Sequence, residues 1–331
     1  MRVCAAALVC SMGIRLAASG VFTPLARALC SGEAMSFYLY LQTGRAVRGG
    51  RESGQSVPIR FTPARNDATE PEAETQPQPE KPSFSAEDLQ WISITKNCDY
   101  DPDLEWELTR PLEWDLTGEE PTVLILHSHA TESYTPSDGD TYTESAAYRT
   151  LDESYNMVSL GALVARRLEA AGIRVIHDTA LHDHPSYNDA YANAASSVEA
   201  YLEQYPSIRL ILDLHRDAAD TPTGQMVTQC SIGSETAAQL MMVVGTDDGG
   251  LYNPEWEDNL SLALKLQVLL ERENPGICRP MNLTYHRYNQ HLGDRALLIE
   301  IGAAGNHLEE ARLAAEALAQ AIIALIHGSA Y

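Results

Sequence analysis

Short apolar runs alternate with longer segments of helical periodicity from about residue 90 to the carboxyl terminus. The clearest run, Val123–Leu126, is apolar at every position, as expected of a strand buried on both faces. The segment Asn156–Ala171 then repeats apolar residues three or four apart and ends before Gly172. Such alternation indicates βαβ units. The sequence therefore predicts an α/β fold with a single, mostly parallel sheet flanked by helices.

The same two patterns place the other elements of the domain. Strands are predicted at Ile173–Ile176, Ile208–Leu214, Gln225–Cys230, Leu240–Val244 and Ala296–Ile301. Helices are predicted at Tyr187–Tyr205, Asn259–Glu273 and Leu308–His327. All of these elements lie between residues 88 and 331, which we interpret as one folded domain.

Residues 1–48 form an apolar and basic amino-terminal region. The run Val3–Ile14 is twelve apolar or small residues long, which is short of the ~20 that span a bilayer. Continuing through Arg15 to Leu29 reaches that length, but the charge in mid-span costs about 2.5–3.5 kcal/mol. We expect a single uncleaved anchor in the cell membrane, with the rest of the chain outside the cytoplasm. A cytoplasmic amphipathic helix is the alternative.

Residues 49–87 are rich in Pro, Glu and Gln. Five prolines lie between Pro58 and Pro79, and they overlap the acidic run Glu70–Glu80. A segment of this composition cannot bury enough apolar surface to offset the entropy lost on ordering. The sequence therefore predicts a disordered linker that holds the folded domain away from its anchor.

The net charge of −23 is unevenly distributed along the chain. Residues 1–65 have a net charge of +6, residues 66–120 of −13 and the remainder of −16. Affinity for nucleic acid depends on Lys and Arg that contact phosphates, and the acidic domain contains no basic stripe. Nucleic acid is therefore excluded as a partner.

Polar side chains occur where three of the predicted strands end. His127 and His129 directly follow the first strand, and His215 follows the strand Ile208–Leu214. Glu300 interrupts the last apolar run near its carboxyl end. Because ligands bind at the carboxyl ends of parallel strands, we expect these side chains to meet at one edge of the sheet.

The spacing of three of these residues is typical of a zinc site. His129 and Glu132 form a His-x-x-Glu element, and His215 is a distant third donor. Two His and one Glu are an attested set for catalytic zinc, with the fourth position left to water. The sequence therefore predicts Zn²⁺ held by His129, Glu132 and His215. His127 points to the same side as His129 on an extended chain, so spacing leaves either histidine as the ligand.

Glu300 and Arg216 are the candidate catalytic residues. Glu300 would take a proton from the attacking water and return it to the leaving nitrogen. A structural carboxylate, paired with Arg216, is the alternative. Arg216 would either orient Glu300 or bind a carboxylate of the substrate, and the sequence does not separate these roles.

Two other polar segments are candidates for the cleft. Residues 177–184 contain three His and two Asp, which either line the cleft or, as we favour, form a hydrogen-bonded loop. Tyr288 is followed by Asn289 and Gln290, whose amides suit a peptide or sugar. We predict that Asn289 and Gln290 bind substrate, and a solvated turn accounts for them equally well.

Five segments together resemble the stage II sporulation protein P family, cell-wall amidases of endospore-forming bacteria. They occur in the same order over residues 90–330 and comprise Val123–Tyr134, Gly172–Asp183, Leu212–Asp217, Tyr288–Gln290 and Leu297–Gly302, with Asn306 shortly after. The amino-terminal part is similar only in its layout of an apolar anchor followed by a spacer.

The resemblance implies an amidase-like α/β domain that hydrolyses peptidoglycan. The reaction would be zinc-dependent cleavage of the amide between N-acetylmuramic acid and L-alanine, with cleavage of peptide cross-links open as a second activity. It also implies action outside the cytoplasmic membrane during engulfment of the forespore, alongside a lytic transglycosylase and a membrane partner.

The resemblance also assigns roles by motif position. The histidine element before Glu132, together with His215, would hold zinc, and Glu300 would be the catalytic carboxylate. Amidases also have a ligand glutamate just before the first helix. Glu153 stands near that place, so Glu153 is a rival to Glu132.

Two other classes of function remain open on the sequence. A metallocarboxypeptidase-like peptidase shares the His-x-x-Glu and distant-His arrangement and would release terminal amino acids. A non-catalytic cell-wall-binding scaffold would keep the sheet but need no zinc, and the complete set of two His and two Glu argues against it.

Overall fold

The computed structural model of the protein describes residues 81–328, apart from residues 138, 140, 223 and 294. The predicted anchor at residues 1–48 and the linker up to residue 80 lie outside the described residues. Phe84 already contacts the core, and a 3₁₀ helix covers Ala86–Trp91. The described fold therefore begins a few residues before the predicted boundary at residue 88. No helix within residues 81–328, as far as they are described, is long and apolar enough to cross a membrane.

The described chain folds around one central sheet. The strands of the described chain, in this sheet and outside it, are β1 (Ile94–Asn97), β2 (Val123–Leu126), β3 (Glu144–Ala146), β4 (Arg149–Thr150), β5 (Val175–His177), β6 (Leu210–Asp217), β7 (Asp220–Thr221), β8 (Gly224–Gln225), β9 (Gln229–Ile232), β10 (Glu235–Ala238), β11 (Leu240–Gly245), β12 (Met281–Thr284) and β13 (Ala296–Ala303). Its helices are α1 (Leu104–Thr109), α2 (Met157–Ala170), α3 (Ala190–Gln204), α4 (Trp256–Glu273) and α5 (Leu308–His327).

Seven strands form the central sheet, in the order β1-β12-β11-β13-β6-β2-β5. Every neighbouring pair is parallel except β11 and β13. The prediction of a mostly parallel sheet flanked by helices is therefore confirmed, with one reversal of strand direction near its middle.

The structure corrects two strand predictions. The predicted strand Gln225–Cys230 is divided between the small β7–β8 and β9–β10 hairpins and does not enter the central sheet. Of its six residues only Thr228 is buried, so the segment lacks the continuous apolar run that a central strand needs. The predicted strand Ile208–Leu214 continues as β6 to Asp217, which places His215 within the strand.

The central strands alternate their side chains between two hydrophobic cores. In β2, Val123 and Ile125 join the larger core beneath α2, α4 and α5. Leu124 and Leu126 join a smaller core with Ala194 of α3. This period of two decides which polar side chains share a face.

The same alternation directs the catalytic candidates to the α3 side of the sheet. In β6, Leu212 and Leu214 belong to the larger core, so Asp213 and His215 face the other way. In β13, Glu300 lies between two residues of the larger core and likewise faces α3. A slip of one residue in register would turn these polar groups into the apolar core. Each fully buried Leu or Ile contributes about 1.5–3 kcal/mol, which disfavours such a slip.

Candidate active site

Five of the predicted site residues line one cavity of about 320 Å³: His129, Glu132, His215, Arg216 and Glu300. The other lining residues are Arg149, Tyr187, Tyr191, Asp217 and Ala218. Glu300 of β13 is paired directly with His215 of β6 in the parallel register, so their side chains are neighbours on the α3 face. The sheet therefore brings together two residues that are far apart in the sequence.

A tight turn carries His129 and Glu132 to this cavity. Strand β2 ends at Leu126, and the turn that follows is fixed by two buried carboxylates. Asp213 accepts hydrogen bonds from Ser128 N (2.8 Å) and Ser128 Oγ (2.5 Å). Asp183 accepts hydrogen bonds from Thr131 N (3.1 Å) and Thr131 Oγ1 (2.5 Å). Charge-assisted hydrogen bonds of this kind are about twice as strong as neutral ones, so the turn is rigidly positioned.

His127 points away from the cavity, although it is only two residues from His129. Its Nδ1 donates to the carbonyl of Leu214 at 2.9 Å, so its Nε2 accepts from His177 Nε2 at 3.0 Å. Burial lowers the pKa of His127 to about 4 and that of His177 to about 3, so both rings are neutral at pH 7. The expectation that His127 and His129 share one side fails because the chain leaves the extended conformation at Leu126.

Gly161 of α2 is required where the helix crosses this histidine pair. A Cβ there would lie 2.3 Å from His127 Nε2 and 2.4 Å from His177 Nε2. We expect Gly161→Ala to lose about 1–3 kcal/mol of unfolding free energy, because hydrogen bonds hold both rings in place. Denaturant unfolding measures this loss. Gly118→Ala is the matched control, since its nearest atom would be 3.9 Å away. Equal stability of the two variants would contradict the close contact.

Carboxylates on both sides dominate the electrostatics of His215. Its Nδ1 lies 3.7 Å from Glu132 Oε2. Its Nε2 lies 2.8 Å from Asp213 Oδ1, although the ring N–H is not aimed at that oxygen. Burial alone would lower the pKa of His215, but Asp213, Glu132 and Glu300 together outweigh it and raise the pKa to about 10.

At His129 and Glu300, unlike at His215, burial outweighs the neighbouring charges of opposite sign and disfavours the charged form of the side chain. Burial lowers the pKa of His129 to about 3, and His129 Nδ1 is buried without a hydrogen-bond partner. Burial, with Glu132 and Asp217 adding to it, raises the pKa of Glu300 to about 8 against the attraction of His215. Glu300 Oε2 is also buried without a partner. Buried polar atoms are rarely left unpaired without a functional reason.

The chemistry of these donors fits a zinc ion. As placed, no three His, Cys, Asp or Glu side chains of the described chain stand close enough together to surround a metal. The two His and one Glu are nevertheless the ligand types of catalytic zinc sites. The His129 Nδ1 atom has no hydrogen-bond partner, so its lone pair can bind a metal beside the cavity. A metal-binding His commonly has a carboxylate at its other nitrogen, the place that Asp213 holds behind His215.

Arg216 braces the loops around the cavity. Its Nε donates to the carbonyl of Ser133 at 2.9 Å and its Nη2 to that of Tyr148 at 2.7 Å. Its backbone N–H donates to Glu132 Oε2 at 3.3 Å. Arg216 lines the cavity, but two of its side-chain donors are taken up by backbone carbonyls, and its bond to Glu132 comes from its backbone N–H.

The structure does not bring the other sequence candidates to the cavity. Gln290 is buried and latches onto β11, accepting from Gly245 N at 2.8 Å and donating to Val243 O at 2.7 Å. Asn289 donates to Tyr191 O at 2.7 Å. Glu153 is exposed and, like Asn289 and Gln290, is not among the cavity-lining residues.

The loop after β5 is hydrogen-bonded, as favoured from the sequence. Asp178 Oδ2 lies 2.9 Å from His182 Nε2, and Asp178 Oδ1 accepts from Ala180 N at 3.0 Å. The loop also presents Asp183 to the turn that carries His129. Its residues therefore support the site rather than line the cavity.

The cavity has an aromatic wall that was not predicted from the sequence. Tyr187 stacks on His129 with ring centres 4.3 Å apart, and Tyr191 lies edge-on to the same ring at 5.3 Å. The guanidinium of Arg149 lies 4.0 Å above Tyr187. The spacing of four residues between the tyrosines was a detectable signal of one helical face, whereas nothing local pointed to Arg149.

Solved structures of several amidases are similar to this protein at low scores. Ami1 of Mycobacterium smegmatis is 15% identical, with a TM-score of 0.37 over 65% of this chain and 100% of that one. AmiC2 of Nostoc punctiforme is 13% identical, with a TM-score of 0.36 over 62% and 97%. CwlD of Clostridioides difficile, solved with the GerS lipoprotein, is 15% identical, with a TM-score of 0.32 over 62% and 95%.

Comparisons of sequence are more specific. The stage II sporulation protein P of Bacillus subtilis (strain 168) is 29% identical over 215 residues, which are 61% of this chain and 50% of that protein. The chain thus matches about half the length of this curated relative. The profile of the family described as stage II sporulation protein P (SpoIIP) matches residues 41–323. Because this match covers most of the sequence, the chain belongs to the stage II sporulation protein P family.

Proposed function

We propose that this protein is a peptidoglycan hydrolase of sporulation. It cleaves the amide between N-acetylmuramic acid and the L-alanine of the stem peptide, with Zn²⁺ as its cofactor. The observation that carries the proposal is the convergence of His129, Glu132, His215 and Glu300 on one cavity. Membership of the sporulation family supports the biological setting.

His129, Glu132 and His215 are the residues that would hold the metal. When bound, zinc supplies a Lewis acid that polarises a carbonyl and lowers the pKa of water to about 7. Glu300 accepts a proton from the attacking water and delivers it to the departing amine. A carboxyl group with a pKa raised to about 8 is suited to both steps, because proton transfer works best near the operating pH.

The chain's own architecture keeps this machinery in place. Asp213 and Asp183 fix the turn that carries His129, and Arg216 holds Glu132. The face of Tyr187 covers His129 and limits the access of water to it. Burial and rigid positioning of His129, Glu132 and His215 strengthen each electrostatic interaction within the site.

The proposal includes a location and partners. An uncleaved anchor within residues 1–48 would hold the enzyme at the cell membrane, with its catalytic domain outside the cytoplasm. A lytic transglycosylase and a membrane partner of the engulfment machinery would act beside it. The acidic domain would be repelled by the anionic wall, which supports localisation by tethering and partners rather than by the domain's own charge.

Digestion of purified peptidoglycan tests the reaction. We expect the full chain with Zn²⁺ to release stem peptides that carry new L-alanine amino termini, detected by amino-group labelling and mass spectrometry of the fragments. Release of free terminal amino acids would identify a carboxypeptidase-like enzyme instead. Amino termini within cross-links would add an endopeptidase activity. Unchanged peptidoglycan would leave only the wall-binding scaffold.

A further inference from the structure

Arg149 is held rigidly at the edge of the cavity. It forms an antiparallel bridge with Glu132, and directly opposed residues of such a bridge project to the same side. The neighbouring Thr150 N donates to Thr131 O at 2.8 Å, and Ser133 N donates to Tyr148 O at 3.0 Å. The β3–β4 hairpin is thus fastened to the turn that carries Glu132, and Arg149 projects into the cavity beside it.

Arg149 has no carboxylate within ion-pair distance among the described residues, although its charge acts on the nearby Glu132 and opposes the rise of that residue's pKa. Its Nε is buried without a hydrogen-bond partner, and its guanidinium carbon lies 4.0 Å from the centre of the Tyr187 ring. No ion pair of Arg149 occurs among residues 81–328 as described. Arg216, the other arginine of the cavity, already donates to two backbone carbonyls. Among the described residues of the cavity wall, the N–H groups on the Nε side of Arg149 are therefore the guanidinium donors left to bind a ligand.

The other charged groups would orient an anionic substrate. Glu132, Asp217 and Glu300 line the same cavity, and their carboxyl groups offer no positive charge to a substrate carboxylate. An arginine fork binds a carboxylate through two parallel N–H···O bonds, and stacking on an aromatic face leaves that fork exposed. An anionic ligand can therefore enter with its charge at Arg149 and its neutral part toward Glu300.

We propose that Arg149, seated on Tyr187, binds a free carboxylate of the stem peptide next to the scissile amide and sets the enzyme's substrate preference. This inference rests on the proposed amidase function. In the stem peptide, the residue after L-alanine is a glutamate linked through its side chain, so its α-carboxyl group is free unless amidated. That carboxyl group lies about one residue, roughly 3.5 Å of chain, beyond L-alanine. A cavity of about 320 Å³ is small enough for both groups to contact its wall.

The test compares two muramyl tetrapeptides that differ only in whether this glutamate carboxyl group is free or amidated. We expect the full chain to bind the free-acid form about tenfold more tightly in titration calorimetry and to cleave it with a KM about tenfold lower. Arg149→Gln should remove this preference by weakening the free-acid form alone, with kcat little changed. Arg149→Lys should restore part of it, because the charge returns without the fork.

Arg312→Gln is the matched control, because it removes one positive charge outside the cavity lining. It should keep the preference of the parent protein. Equal binding of the two tetrapeptides by the parent protein, or an equal loss for both in Arg149→Gln, would overturn the inference. Failure of the amidase proposal is a separate outcome: the preference in binding would persist while no L-alanine amino termini form from either peptide.

Discussion

Replacing Glu300 with Gln is expected to abolish amide hydrolysis while leaving the fold and the zinc content intact. The amide has the size of the carboxyl group but cannot accept a proton from water. General acid–base catalysis contributes about 10²–10⁴-fold, so we expect release of L-alanine amino termini to fall by at least about 10²-fold. The assay on purified peptidoglycan measures activity, and elemental analysis of the same preparation measures zinc.

The environment of Glu300 makes this change clean. Burial and the nearby carboxylates raise its pKa to about 8, so a neutral side chain of the same shape is already tolerated in the fold. Glu309→Gln is the matched control, because Glu309 is exposed at the start of α5 and pairs only with Arg312 on the surface. Full activity of Glu300→Gln would end the assignment, whereas loss of zinc in this variant would make Glu300 a ligand instead.

Residue patterns sufficed for the parts of the site that depend on strands. The buried runs at Val123–Leu126 and Ala296–Ile301 predict central strands, because a strand is apolar at nearly every position only when both of its faces are covered. Parallel strands end at one edge of the sheet, so His215 and Glu300 could be placed together before their register was known. Asp213 is a charged residue within the otherwise apolar run of β6, and it was a further signal of the site in the sequence.

The roles of His127 and His129 depended on information that local spacing does not contain. Their separation follows from the end of β2 at Leu126 and from hydrogen bonds to Asp213 and Asp183, which lie more than 50 residues away. An extended-chain argument applies only while the strand continues. Local spacing could therefore not decide which of the two histidines is the metal ligand.

Local pattern was also insufficient for Asn289 and Gln290, which it indicated as substrate-binding although they support the fold. Gln290 seemed suited to a substrate, but its amide satisfies the backbone of β11. Asn289 has a left-handed backbone conformation, with φ of 64°, and donates to Tyr191. Arg149, by contrast, reaches the cavity through the pairing of a short hairpin with a turn. Long-range contacts of this kind decide whether a polar residue supports a site or lines it.

Replacing His215 with Ala is expected to remove zinc from the protein and, with it, all amidase activity. Loss of one of three protein ligands leaves too few donors for a stable catalytic zinc site. The substitution also leaves the buried carboxylate of Asp213 without its imidazole partner, and removing one member of a buried pair costs about 3–5 kcal/mol. We therefore expect a lower denaturation midpoint as well, measured beside the zinc content.

His129→Ala separates the loss of metal from this loss of stability. His129 is neutral, since burial lowers its pKa to about 3, and its Nδ1 has no hydrogen-bond partner that the substitution would leave unpaired. Its removal should therefore abolish zinc binding with a smaller loss of stability than His215→Ala. His286→Ala, at an exposed position outside the cavity, should retain both zinc and activity. Full zinc content in folded His215→Ala would exclude His215 as a ligand. Zinc lost from His127→Ala but retained in His129→Ala would transfer the ligand role to His127, against the direction in which its ring points.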